Sequence, residues 1–510
     1  MPSIEHVFVL MLENRSFDHM LGSSSTTGMD AASHVATKIN GLTSSMANTW
    51  NGTVYSAGPP AVDPMRADPY HEFADVLKQL CGQTASYPSG GPYPPINNSG
   101  FVSNFALDAI PKQPDTGATP GDVMKSFDKS KVPVLTALAE EFAVCDSWFC
   151  SMPGPTWPNR FFALGASSAD LDHSPTTAET LEWQTIDGFK FQNGSIFDVS
   201  TGFLFLKRKL KWRIYGGNKL FTLAHALKGI HIWDITRYAN FAKDVLDPNY
   251  PAQFTWIEPN YGHVTSDYLG GNSQHPLDGV TGGEALMKAT YEAIRNSPLW
   301  ESSMLIITWD EHGGFYDHVA PSKATPPGDQ AQFNGANPTR FPFDQYGPRV
   351  PAVVISPLIP RNLIDHGVYD HTSILATVER LFGFHPLTAR DRAARDLLSL
   401  ASLTSPRSAP ASIVLPVETE LVHRQTPLDT LEVETPPARR ESEAIEESHN
   451  LPGFVYVAAK TDAELPPQGR APAEHVARVR NRIGSLRTRR DARDYFEEVR
   501  RKALDAEIRR

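Results

Sequence analysis

A chain of 510 residues is longer than one ordinary domain, so it is read as one large unit of catalytic size plus something smaller. Hydrophobic residues at 40% and aromatics at 10% are enough for a substantial core, which excludes a wholly disordered chain, while 42 prolines and 35 glycines mark extensive loops. The formal net charge of −11 argues against a general nucleic-acid binder.

The chain opens Met1-Pro2-Ser3-Ile4-Glu5-His6 with no basic lead, and the apolar run Val7 to Leu12 ends at once in Glu13-Asn14, so no signal peptide is read. Nowhere does an uncharged apolar stretch approach the ~18 residues needed for a transmembrane helix. The expectation is a soluble or at most peripheral protein, cytoplasmic as given, or secreted or periplasmic if an export signal has been trimmed. Val7 to Leu12 has the length and continuity of a strand buried on both faces of a mostly parallel sheet.

Residues 24 to 130 are dense in Ser, Thr, Gly, Pro and Asn and lack periodicity, as expected of long excursions over the sheet. Three cysteines, Cys81, Cys145 and Cys150, provide neither a disulfide framework nor a four-ligand zinc pattern; a Cys145–Cys150 bridge and buried free thiols both stay open. Phe254 to Ile257, a helix over Gly283 to Ile294, and the apolar run Met304 to Trp309 make a strand–helix–strand unit, predicted to place its two strands side by side and parallel. Val350 to Ile355 is a third buried strand, and a helix from Thr372 stops at Gly383.

After about residue 400 the chain turns Pro-rich and acidic, with Pro416, Pro427, Pro436 and Pro437, and reads as a linker or surface strap. From Glu474 to Arg510 it is helical and charged, with twelve Lys+Arg against seven Asp+Glu and an apolar edge of Val476, Val479, Ile483 and Leu486. That edge suits a helix docked on the main domain; contact with an anionic membrane surface is the sharper alternative. The predicted organisation is a catalytic domain over 1–400, a linker over 401–450 and a charged helical extension over 451–510.

Two predicted buried strands end in Glu13-Asn14 and Asp310-Glu311. Carboxylates there are costly unless paired or bound to a cation, and the carboxyl ends of parallel strands converge on one crevice, so the two doublets can meet around one hard divalent ion. Prolines at 153, 155 and 158 stiffen the chain around the single hydroxyl of Thr156, which suits a fixed nucleophile or an ordinary helix-capping turn.

Together, Glu13-Asn14-Arg15-Ser16-Phe17-Asp18-His19, the Pro153 to Arg160 segment and Asp310-Glu311-His312-Gly313-Gly314-Phe315-Tyr316-Asp317-His318-Val319 resemble the bacterial phosphoesterase family of non-haemolytic phospholipases C and acid phosphatases, related to the alkaline phosphatase superfamily. Asp68-Pro69-Tyr70-His71-Glu72, Glu258-Pro259-Asn260, Gln274-His275-Pro276, Gly283-Glu284 and Tyr369 to Ser373 extend the likeness, which runs from residue 4 to about 385.

The resemblance implies an α/β fold with a mostly parallel central sheet flanked by helices, long loop excursions and a C-terminal helical extension. It implies Glu13, Asn14, Asp310 and Glu311 as metal ligands, with Thr156 as both nucleophile and further ligand through its alkoxide. It implies attack on phosphorus through a phosphothreonine. His71 and His275 would hydrogen-bond phosphoryl oxygens or protonate the leaving group. Asn159 and Arg160 would contact phosphate, although Arg160 could equally pair with a carboxylate, and Asp317 and His318 fit either a layer orienting the ligands or a loop clasp.

The expected cofactor is one divalent cation. Oxygen ligation favours Ca²⁺, Mg²⁺ or Mn²⁺, and the superfamily relationship favours Zn²⁺. The expected substrate is a phosphate ester, a phospholipid head group at a membrane surface among them, with no nucleic-acid partner. Phospholipase C activity on phosphodiesters leads. An acid phosphatase acting on monoesters and a catalytically silent cation-binding module are the alternatives. Trp148, Phe149, Trp157, Phe161 and Phe162 suit an apolar substrate rim or plain core.

Overall fold

The computed structural model describes residues 3–113, 116–182, 196, 210–329, 337–415, 440–446, 449–465 and 472–508. Its centre is a ten-stranded sheet that runs from edge to edge as Ala36–Lys38, Thr27–Asp30, Leu363–Asp365, Ala143–Cys145, Ala352–Ile355, Ser303–Trp309, His6–Leu12, Phe254–Glu258, Trp212–Gly216 and Ile235–Arg237. Only the Ala36 and Ala352 strands run against their neighbours, so the sheet is mostly parallel as expected.

Val7 to Leu12 and Met304 to Trp309 are buried throughout, because helices cover both faces of the sheet. Each such side chain removed from water is worth about 1.5–3 kcal/mol. The helix read at Gly283 spans Thr281–Arg295, and the one read at Thr372 spans Thr372–Phe382, ending on Gly383 at φ 74°.

Two strand relationships differ from expectation. Phe254–Glu258 and Ser303–Trp309 are parallel but not adjacent, because the N-terminal His6–Leu12 strand lies between them and pairs with both. Ala352–Ile355 is antiparallel to Ser303–Trp309. Apolar continuity marks a strand as buried but carries no information about its neighbours or direction.

The excursion between residues 24 and 130 closes its own smaller core, in which Phe73, Leu77, Phe101, Phe105 and Phe315 meet. All three cysteines are free, so the Cys145–Cys150 bridge is not formed.

Residues 401–415 run along the surface, held where Arg407 reaches Glu141 and Ile359 O and where Arg295 donates to Ala409 O. Pro416, Pro427, Pro436 and Pro437 lie outside the described residues. The extension beyond them carries a helix that charge patterning did not reveal: Leu451–Glu464 is buried from Leu451 to Ala463. The charged stretch forms two helices, Pro472–Ile483 and Arg489–Ile508. They dock through Val479, Ile483, Leu486, Tyr495 and Val499, while Val476 is only half-buried. Their cations face acidic neighbours, as in Arg490–Glu441 and Lys502–Asp462. No helix among the described residues is long and apolar enough to cross a membrane.

Candidate active site

Register builds the site. Leu12 pairs with Trp309 at the ends of two adjacent parallel strands, so Glu13-Asn14 and Asp310-Glu311 leave the sheet side by side. All four are buried. Asn14 turns sharply, at φ 58°, and its amide donates to Asp310 Oδ1 at 3.0 Å. Gly313 makes that turn possible: at φ 64°, an added Cβ would lie 2.1 Å from Asn14 O. The Glu311 carboxylate accepts from the Gly313 amide at 2.8 Å, and His371 Nε2 donates to Asp310 O at 2.6 Å.

Thr156 arrives from the opposite side, as the first residue of the buried helix Thr156–Gly165. The preceding loop is clamped by Asn159, whose carboxamide accepts from Met152 N at 3.1 Å and donates to Gly154 O at 3.0 Å and Pro155 O at 3.1 Å. Asn159 therefore holds the loop that leads into Thr156. Arg160, one residue on, donates from Nε to Asp310 Oδ2 at 2.9 Å and from Nη2 to Leu12 O at 3.0 Å, tying the helix to both strand ends. The Thr156 hydroxyl donates to Asn14 Oδ1 at 3.3 Å and accepts from Asn450 Nδ2 at 3.2 Å.

His71 and His275 line one cavity of about 250 Å³ beside this cluster, together with Asp68, Tyr268, His449 and Asn450. His71 Nδ1 donates to Pro69 O at 2.8 Å, which aims Nε2 inward, 3.3 Å from Asn14 Nδ2 and 3.8 Å from Glu311 Oε1. As a neutral ring it accepts from Asn14; as a cation it pairs with Glu311. Burial opposes the cation, but Glu311 and Asp68 outweigh it and push the pKa up to about 9. His275 stacks on Tyr268, with centroids 3.6 Å apart, and Nε2 lies 3.7 Å from Asp68 Oδ2. Burial, then the positive charges of His71 and Arg15, hold its pKa well below the ordinary value.

The carboxylates are crowded. Burial first, then Asp310, pushes Glu13 up to about 8, and burial moves Asp310 up to about 6 against the pull of Arg160. Glu13 Oε2 and Glu311 Oε1 are buried without a hydrogen bond. Such an oxygen costs about 1–3 kcal/mol or more until a proton or cation meets it. Carboxylate, carboxamide and hydroxyl oxygens are the donors of a hard divalent cation, so the residues present fit one.

Asp317 and His318 lie in a different cluster. Arg349 donates to Asp317 Oδ1 at 2.8 Å and to Asp18 Oδ1 at 3.0 Å, and His318 Nδ1 lies 2.7 Å from Asp18 Oδ2. Donor atoms of Asp18, Asp317 and His318 fall within 4.8 Å of one another, a metal-like spacing, but the Arg349 guanidinium already supplies the positive charge. Arg349 and Asp18 thus hold Asp317 and His318 by ion pairs and hydrogen bonds. Trp148, Phe149, Trp157, Phe161 and Phe162 are core and form no rim. Glu284, part of the extended likeness, caps the Pro133–Glu141 helix by accepting from Val134 N at 2.6 Å.

Sequence reasoning had His371 only as part of the Tyr369 to Ser373 likeness, with no role at the site, and it missed His449 and Asn450, which end a stretch read as linker. A usable signal stood beside that pair: Phe454 to Ala459 is apolar on every side, the pattern of a buried helix.

Relatives and solved structures bear on this geometry. Non-specific phospholipase C6 of Arabidopsis thaliana is 35% identical over 432 residues, covering 79% of this chain and 74% of that one. Phospholipase C B of Mycobacterium tuberculosis is 29% identical over 436 residues, covering 80% and 79%. A Vibrio parahaemolyticus protein of the alkaline phosphatase superfamily aligns over 55% of this chain and 66% of its own with 13% identity and a TM-score of 0.28, a likeness too distant to add to the fold as observed. The Phosphoesterase family profile matches residues 4–385. A match that runs through both strand-end doublets and the Pro153–Arg160 segment leaves one conclusion: the chain belongs to the Phosphoesterase family, as a phosphoric ester hydrolase.

Proposed function

We propose that the chain is a phospholipase C, cleaving the phosphodiester of a phospholipid through Thr156. The observation that carries this reading is the Thr156 hydroxyl itself: buried at a helix start, hydrogen-bonded to Asn14 Oδ1 at 3.3 Å, and joined through Asn450 Nδ2 at 3.2 Å to the wall of a cavity that holds two histidines. Relatives named phospholipase C at 32% and 35% identity support the diester preference.

Glu13, Asn14, Asp310, Glu311 and Thr156 would hold a divalent cation, whose charge favours loss of the Thr156 proton and screens the phosphoryl oxygens. Arg160 and Asn159 fix the hydroxyl's approach. Thr156 Oγ forms a bond to phosphorus, the bond from phosphorus to the glycerol oxygen breaks, and that oxygen takes up a proton as diacylglycerol leaves. Water then attacks the phosphothreonine, releasing the phosphorylated head group and restoring the hydroxyl. His71 and His275 face this exchange, binding phosphoryl oxygens and moving the leaving-group proton. A cavity of about 250 Å³ admits a phosphorylated head group and leaves the acyl chains outside.

The test is hydrolysis of p-nitrophenyl phosphorylcholine beside p-nitrophenyl phosphate by wild type and Thr156→Ala, with and without chelator. Diester turnover that disappears in the variant is the expected result. Monoester turnover alone would move the assignment to an acid phosphatase. Turnover of neither under any divalent cation would leave a silent cation-binding module.

A further inference from the structure

We infer that Asn450, delivered from beyond the family match that ends at residue 385, is the hydrogen-bond donor that positions the Thr156 nucleophile. The inference rests on the reading of Thr156 just given. Asn450 Nδ2 donates to Thr156 Oγ1 and to Glu13 Oε1, each at 3.2 Å, and the residue shares a cavity wall with His275 and the Tyr268 ring stacked on it. One carboxamide thus touches both the nucleophile and a residue read as a cation ligand.

Asn450 stands at the N-cap of the Leu451–Glu464 helix, where an asparagine ordinarily turns its side chain back onto the helix's own amides. Here it makes no such bond. Its side chain points into the site, with Oδ1 buried and unbonded. Loss of the capping bond costs about 1 kcal/mol, so its diversion calls for another use.

The helix is built to hold that position. At its start, Gly453 lets the backbone lie on Trp157, the residue after the nucleophile; an added Cβ would meet the indole at 2.3 Å. At its end, Glu464 accepts from Ile232 N at 2.8 Å and lies 3.1 Å from His225 Nε2, and Lys460 donates to Leu227 O at 2.8 Å. Both ends are therefore pinned to the catalytic domain.

The direction of the hydrogen bonds gives the function. Thr156 donates its proton to Asn14 Oδ1, so the Asn450 N–H meets an oxygen lone pair. With its proton held by Asn14 and one lone pair held by the Asn450 donor, the hydroxyl has a fixed rotation and one remaining lone pair left to meet phosphorus.

The experiment uses the full chain, loaded with whichever of Ca²⁺, Mg²⁺, Mn²⁺ or Zn²⁺ best restores activity after chelation. Wild type, Thr156→Ala, Asn450→Ala, Asn450→Asp and Glu464→Gln are compared in kcat, KM, thermal midpoint and calorimetric affinity for that cation alone. Asn450→Ala and the isosteric Asn450→Asp, which lacks the donor, are expected to lose about 10- to 100-fold in kcat, the range of a hydrogen bond to a charged group. Their KM stays within about threefold, with cation affinity of Asn450→Ala within about threefold of wild type. Glu464→Gln lowers the thermal midpoint and leaves kcat within about threefold of wild type. If Asn450→Ala does not fold, Asn450→Asp carries the same test. An unchanged or raised kcat in both Asn450 variants, with Thr156→Ala inactive, overturns this inference alone. So does a tenfold loss of cation affinity in Asn450→Ala. An active Thr156→Ala overturns the nucleophile reading instead.

Discussion

Asn450 Nδ2 lies 3.2 Å from Thr156 Oγ1 although the two residues stand 294 positions apart in the chain. The segment matched by the family supplies Thr156 and the strand-end carboxylates; a helix from beyond that match closes them in. Several consequences of this arrangement are measurable.

Gly313 is a first point of sensitivity. Its positive φ and the 2.1 Å approach of a would-be Cβ to Asn14 O leave an alanine no room. Gly313→Ala is expected to cost about 1–3 kcal/mol from backbone strain and to displace Asn14, lowering kcat more than KM. Thermal unfolding and steady-state kinetics check this, and a variant with wild-type midpoint and kcat would refute it.

Arg160 and Asp310 form a buried ion pair at 2.9 Å. Removing one partner of such a pair strands the other charge, so Arg160→Met should lose about 3–5 kcal/mol by denaturant titration. Replacing both, as Arg160→Met with Asp310→Leu, should recover part of that stability without recovering activity. Additive losses in the double variant would count against the pairing.

Cation binding should be visible in stability as well as in turnover. A cation that binds the folded state alone adds about 2.7 kcal/mol at a concentration one hundred times its dissociation constant. Chelation is therefore expected to lower the thermal midpoint, and readdition to restore it. Glu13→Gln, which removes the carboxylate carrying a buried unbonded oxygen, should lose most of that increment. An increment of wild-type size in Glu13→Gln would exclude Glu13 as a ligand.

Acid should loosen the extension. Glu464 faces His225, His231, Lys460 and the Ile232 amide, and these partners hold its pKa at about 2 despite burial. A carboxylate so lowered adds stability above its unfolded value, near 4.5, that is lost as pH falls toward 2. His225 is held at about 4 by burial and by Lys460, so keeping it neutral begins to cost as pH drops below 6.5. Both effects have the same sign, and together they amount to a few kcal/mol of docking. The protection factors of the 451–464 amides, corrected for intrinsic exchange at each pH, should fall between pH 6.5 and pH 4; constant protection factors over that range would rule the linkage out.

The buried strands of the sheet and the charged residues at their ends are legible in the chain itself. A strand covered on both faces must be apolar throughout, so Val7 to Leu12 and Met304 to Trp309 are legible, and charged residues at their carboxyl ends stand out against them. Thr156 among its prolines was legible for the same reason, as a polar atom in a stiff apolar setting. Tertiary structure decided the rest. It placed the His6 strand between the Phe254 and Ser303 strands, because neighbour choice depends on contacts hundreds of residues apart. It set Asp317 and His318 in a cluster of their own, because Arg349 arrives from another segment to pair with Asp317 and Asp18, and Asp18 in turn pairs with His318. It also brought Asn450 to Thr156, which no local pattern encodes: a carboxamide looks alike in a linker and in an active site, and only the packing of Gly453 on Trp157 tells them apart.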